Sequence, residues 1–221
     1  MTAIHDTLNL MNITSLYRYA GVLAVLVQIF TILTVGLCTG FDWFGPHPIS
    51  DLGVSPVFRN YSAGFLLGAV FMIFFSYYLQ KTFSTSRAFL VVFRIGIACE
   101  FFTGLAPDQP MMSHPFSFLW PLHLPAGAVL LITIPITMWL FAHTQKLDAS
   151  TKKVSLVISA IYTLLLIPEL LLIHYQLLYA VSEAVSLVIF DLWVIYLSLV
   201  APRKKSTLGE ATDQQQFTAA V

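Results

Sequence analysis

Charge is what this sequence has least of. Asp, Glu, Lys and Arg make up 10% of its 221 residues, against about 25% in an ordinary soluble domain. Eleven bases balance eleven acids, so the net charge is zero and global charge names no partner. So few charges cannot clothe a soluble fold of this size, which excludes an ordinary cytosolic domain, a disordered chain and a nucleic-acid binder. Cysteine is nearly absent as well. Cys38 and Cys99 alone give neither a disulfide framework nor a CxxC thiol pair. No lysine falls within a long apolar run, so a retinal Schiff base is excluded, and no Gly-rich phosphate loop is present for ATP. Haem ligation calls for facing histidines at mid-helix, whereas His123 and His174 fall near the ends of apolar runs.

What the sequence does have is hydrocarbon. Residues of the AVILMFWYC set account for 57% of the chain, and the mean hydropathy is +0.81. A bilayer core about 30 Å thick needs about 20 apolar residues of helix. Six runs meet that length: Tyr17–Thr39, Phe58–Gln80, Ala88–Leu105, Phe118–His143, Val154–His174 and Leu177–Leu199. Each is expected to be helical, because lipid cannot satisfy the backbone groups of an open strand. The expected fold is therefore all-α, a polytopic six-transmembrane-helix bundle over residues 17–199. Residues 1–16 form a cytoplasmic N-terminal segment and the polar stretch 200–221 a disordered cytoplasmic tail.

Lys and Arg set the direction. Arg18, Lys81, Arg87, Lys146, Lys152, Lys153, Arg203, Lys204 and Lys205 fall on one side of a six-span layout, and Arg59 alone on the other. Nine against one places both termini in the cytoplasm, in a multi-pass protein of the cell membrane.

The acids and histidines gather at the opposite, outer end. His47, Ser50, Asp51, Asp108 and His114 lie in the two outer loops, with His123 and His174 at outer helix ends. Counting back from those ends puts Glu100, Glu169 and Glu183 roughly 8–9 Å deep and His123 about 7–8 Å deep. Ionisable groups at such depth usually face a bundle interior or a water-filled cavity. The expectation is an outward polar pocket that binds or processes a lipid headgroup or hydrophobic metabolite. Asp108, His123, Glu100 and Glu183 are its candidate acid-base groups. The competing expectation is that these groups only pair with one another and fix helix packing. Asp108, His114 and His123 have the atoms to hold a divalent metal, although they lack the close i,i+3 or i,i+4 spacing of a metal signature.

Three further features are placed by spacing. Arg94 and Asp191 lie within about one turn of the same depth, giving an intramembrane ion pair; snorkelling of Arg94 towards the cytoplasm is the alternative. Gly64 and Gly68 form a GxxxG pair, which admits close packing within the bundle or a homodimer. Ser50 and Gly53 are expected to cap and close a short helical turn after Pro48. Two other functions stay open: a proton- or solute-coupled transporter using acids such as Glu100, Glu183 and Asp191, and a structural or partner subunit.

The stretch Pro48-Ile49-Ser50-Asp51-Leu52-Gly53 after the first helix, then Pro56 and Gly68, is joined by Gly104-Leu105-Ala106-Pro107-Asp108 and His123. Together they resemble the prokaryotic membrane family known as domain of unknown function 998. The resemblance implies six membrane helices to about residue 200 and no established activity. Pro48-Ile49-Ser50-Asp51 with Gly53 is also similar to the damage-regulated autophagy modulator group, which implies a connection with lipids.

Overall fold

A computed structural model describes the backbone of residues 2–110, 114–174 and 179–200, and the side chains of 16–110, 114–168 and 180–200. Among the described residues are six α-helices: α1 (Thr2–Thr39), α2 (Phe58–Phe83), α3 (Arg87–Leu105), α4 (Trp120–Ala142), α5 (Ala149–His174) and α6 (Tyr179–Leu199). Single 3-10 turns cover Ile49–Val54 and Ser117–Leu119, and no strand occurs among the described residues. All six helices are long and apolar enough to cross a membrane. Helix α1 starts at Thr2, well ahead of the expected span.

Local chemistry explains the boundaries. Gly40 takes φ +66 just beyond α1, a left-handed stop that glycine adopts without a Cβ clash. The Ser86 hydroxyl accepts the Phe89 N–H at 3.1 Å and caps α3. Asp148 does the same for α5, taking the Thr151 N–H at 3.0 Å and its hydroxyl at 2.7 Å. Pro121 falls in the first turn of α4, where its missing N–H has no intrahelical partner to lose. At the end of α6 the Arg18 side chain donates to the carbonyls of Ser198 and Leu199, which lack partners further along the helix.

Each helix packs against its neighbours in sequence, and α6 returns to α1, closing a ring. The α1–α2 contact is the most extensive. A Cβ on Gly64 would overlap Thr31, and one on Gly68 would stand 3.0 Å from Gln28 Cγ. The small-residue face of α2 is thus filled by α1 of the same chain. A homodimer through Gly64 and Gly68 meets an occupied surface.

At the short-loop end an aromatic core unites α2, α3, α4 and α6. Phe141 meets Phe83 at 5.3 Å and the Trp193 ring edge-on at 5.5 Å, and the Trp193 indole N–H donates to Ser155 Oγ at 3.1 Å. Edge-to-face rings add specificity to burial. A second core of Val35, Ile49, Leu52, Tyr61, Phe65 and Ala180 sits at the opposite end, beneath the longer 40–57 and 106–119 connections. That long-loop end holds most of the candidate residues.

Candidate functional site

The Ile49–Val54 turn lies over the long-loop end and is held there from below. Its first amide, Ile49 N–H, donates to Glu183 Oε2 on α6 at 2.5 Å. Ser50 makes no side-chain cap; the extended Pro48 precedes the turn. Gly53 serves the packing: a Cβ there would stand 3.3 Å from the Tyr61 ring, so glycine lets the turn settle on α2. His47, on the exposed side, holds Asp51 Oδ2 through Nδ1 at 2.9 Å.

Tyr61 is buried at the centre of this layer and interacts electrostatically with Asp51, Asp108 and Glu183. Asp51 also interacts electrostatically with His123 and hydrogen-bonds the Asp108 side chain. A hydrogen bond between two carboxyl groups requires a proton between them. Burial, then the Asp51 bond and charge, push Asp108 up from 3.8 to about 8, against donation from the Asp108 and Gln109 amides. Asp108 Oδ1 is buried without a hydrogen-bond partner. His123 donates from Nδ1 to the Ala106 carbonyl at 2.7 Å, which fixes its tautomer and pins the α3–α4 corner. Asp51, Asp108, Glu183, Tyr61 and His123 therefore come together from two loops and three helices.

Other expected members stand apart. His114 is buried with its ring 4.5 Å from Phe58, its Nδ1 accepting the Phe116 N–H at 3.2 Å, and burial pushes its pKa down. Among the described residues no three His, Cys, Asp or Glu side chains form a metal-holding group, so Asp108, His114 and His123 do not assemble as one. Ser50 is half-buried within the turn. The side chains of Glu169 and His174 lie outside the described residues. Both cysteines are free, Cys38 exposed and Cys99 half-buried.

Glu100 belongs to a different, deeper group. Its Oε1 accepts the Gln28 amide of α1, and its electrostatic partner is Asp191 of α6. Counting from helix ends puts Glu100 level with Glu183, but the structure gives them different partners: Gln28 and Asp191 for Glu100, the Ile49 amide for Glu183. Among the described residues no Arg94–Asp191 ion pair is present. Arg94 is exposed with its guanidinium 5.0 Å above the Tyr77 ring, while Asp191 faces the interior. The lipid-side face of α3 gives Arg94 an aromatic partner instead of a carboxylate.

Two cavities adjoin these groups. The first, about 290 Å³, is an apolar groove along α6 lined by Ala180, Val181, Ala184, Val185, Val188 and Ile189, with Trp43 and Phe44 at its loop end. The second, about 10 Å³, lies beside Glu100, with Thr133 and Thr137 among its walls. Neither is lined by Asp51, Asp108 or Glu183.

Reasoning from sequence missed Tyr61 and Gln28. Tyr61 resembled an ordinary interfacial aromatic; its signal was a position one turn into α2, beneath a Gly-containing turn. Gln28 is the one amide side chain in the 20–38 run, whose other polar residues are the small hydroxyls Thr31 and Thr34, and that is the signal.

Six apolar helices in a closed ring define a multi-pass integral membrane protein. The family model described as "Protein of unknown function (DUF998)" matches residues 20–200, and the chain belongs to that family. No curated protein and no solved structure matches it.

Proposed function

We propose that the long-loop end binds an amphipathic molecule, a lipid or a hydrophobic metabolite, with its polar end at the Asp51–Asp108–Glu183 layer and its chain in the α6 groove. The observation that carries this reading is the shared helix. Glu183, which reaches up to the Ile49 amide, does not line the 290 Å³ groove itself but sits on α6 between Val181 and Ala184, which do. From Ala180 to Ile189, nine helical steps give a furrow roughly 13–14 Å long, room for about one half of an acyl chain. Its walls are wholly apolar, and the exposed Phe44 stands at its mouth with Trp43, where aromatic rings favour the water–lipid boundary.

The polar layer selects by hydrogen-bond sense. Glu183 and Asp51 are acceptors, and Asp108 Oδ1 is a buried acceptor without a partner. A headgroup bearing N–H or O–H donors satisfies that oxygen. The Lys and Arg distribution supports a cell-membrane protein with this end facing out and both termini in the cytoplasm.

The test uses a lipid with a photoactivatable group on its acyl chain, cross-linked to the full chain in liposomes and mapped by mass spectrometry. Adducts on Ala180–Ile189 and Trp43, lost in Ala184→Trp, support the reading. Adducts spread evenly over all six helices and unchanged by Ala184→Trp overturn it.

A further inference from the structure

The deeper group concerns residues that the lipid reading leaves unused. Glu100 and Asp191 come from α3 and α6 and are 5% and 6% exposed. They interact electrostatically within the bundle. Gln28 reaches them from α1 and donates its amide to Glu100. Gly68 makes that reach possible: with no Cβ, it leaves room for the Gln28 stem, whose Cγ would lie only 3.0 Å from one.

No described cation answers the two carboxyl groups. Arg94 sits over Tyr77 on the exposed face of α3, and Arg18 is held by the carbonyls of Ser198 and Leu199. The other neighbours are neutral. From α4 come Thr133 and Thr137, and from α2 and α6 Met72 and Phe190. Among the described residues the Asp191 side chain has no hydrogen-bond partner, although the residue is more than nine-tenths buried. Two carboxylates cannot both stay ionised in such a place without a counterion.

The adjoining cavity supplies a second, independent observation. Its volume of about 10 Å³ matches a single water, and it brings Glu100 together with Thr133 and Thr137. The Thr133 hydroxyl proton is committed to the Leu130 carbonyl at 2.9 Å, leaving its oxygen as an acceptor.

We propose that Glu100 and Asp191 form a proton-binding site inside the membrane-spanning bundle, with Glu100 steadied by the Gln28 amide and bordering this one-water cavity. The ligand is the proton itself. On binding, an O–H bond forms on one carboxylate oxygen; on release, the proton passes to a water in the cavity. This is the equipment that a proton-coupled transporter needs, and it involves none of the groups proposed to hold an amphipathic ligand.

Infrared spectroscopy of the full chain in liposomes tests the proposal, titrated from about pH 5 to about pH 9. The expected result is a protonated-carboxyl band at neutral pH that shifts in D₂O and loses intensity in Glu100→Gln and in Asp191→Asn. The same loss is expected in each amide variant separately, so failure of one to fold leaves the other as the test. Asp108→Asn, in the loop layer, removes a different component and leaves this one in place. A spectrum whose neutral-pH band is unchanged in both amide variants overturns the proposal. A band that never shifts in D₂O overturns it too, since a site that cannot release its proton is not a binding site for it.

Discussion

Glu183 on α6 accepts the backbone N–H of Ile49 at 2.5 Å, across 134 residues of chain. One carboxylate thereby fastens the turn between α1 and α2 to the last helix, and so locks the loop layer to the walls of the apolar groove. The buried amide has nowhere else to go: Ile49 is 3% exposed.

Removing that acceptor has a calculable effect. Glu183→Ala leaves the Ile49 amide buried without a partner, which costs about 1–3 kcal/mol. For a chain of this size that is a fall of roughly 2–4 °C in melting temperature per kcal/mol. Thermal melting in detergent is the check. Glu183→Gln keeps an acceptor and is expected to recover much of the loss; equal melting of all three proteins contradicts the assigned role.

The Asp51–Asp108 pair makes stability depend on pH in a direction opposite to the usual carboxylate. Asp108 ionises near 3.8 when unfolded and near about 8 when folded. Between those values the native state binds the extra proton, so its stabilising contribution is full at low pH and falls as pH rises towards 8. Above that it is flat. Asp108→Asn keeps a hydrogen-bond donor without the charge and is expected to flatten the slope. Melting curves at about pH 5 and about pH 8.5 decide; a variant with the wild-type slope removes Asp108 as its source.

How much of this could be read from residues alone divides sharply. The six helices were visible, because hydrocarbon thickness imposes a length and lipid forbids open backbone. Asp51, Asp108, Glu183 and His123 were visible as candidates, because polar groups near the ends of apolar runs are costly. Their partition was not. Residue counting gives a nominal depth along one helix but not which side chains meet across helices, so Glu100 and Glu183 look like neighbours although their partners differ. Arg94 and Asp191 likewise matched in depth and differ in face. Tyr61 and Gln28 act through contacts from other helices, which no local pattern reports.

The α1–α2 seam is expected to be intolerant of bulk. Gly64→Leu forces atoms into Thr31, an overpacking worth about 1–3 kcal/mol or more. The expected outcome is a lower melting temperature with no change in oligomeric mass by light scattering. A stable variant that dissociates from dimer to monomer contradicts the assignment of this face to α1.

Trp193 is the keystone of the opposite end, fully buried and bonded to Ser155. Trp193→Ala is expected to cost about 3–5 kcal/mol, and Trp193→Phe much less, since the ring packing against Phe141 survives while one hydrogen bond is lost. Denaturation in mixed micelles gives both values; equal losses assign the effect to the indole N–H instead of the packing.

The most direct measurement of the central claim is a structure of the full chain in lipid nanodiscs. Continuous chain-shaped density along Ala180–Ile189, ending in a headgroup within hydrogen-bond distance of Asp108 Oδ1 or Glu183, is the predicted result. A groove closed by protein side chains, with lipid density equally strong around every other helix, contradicts it.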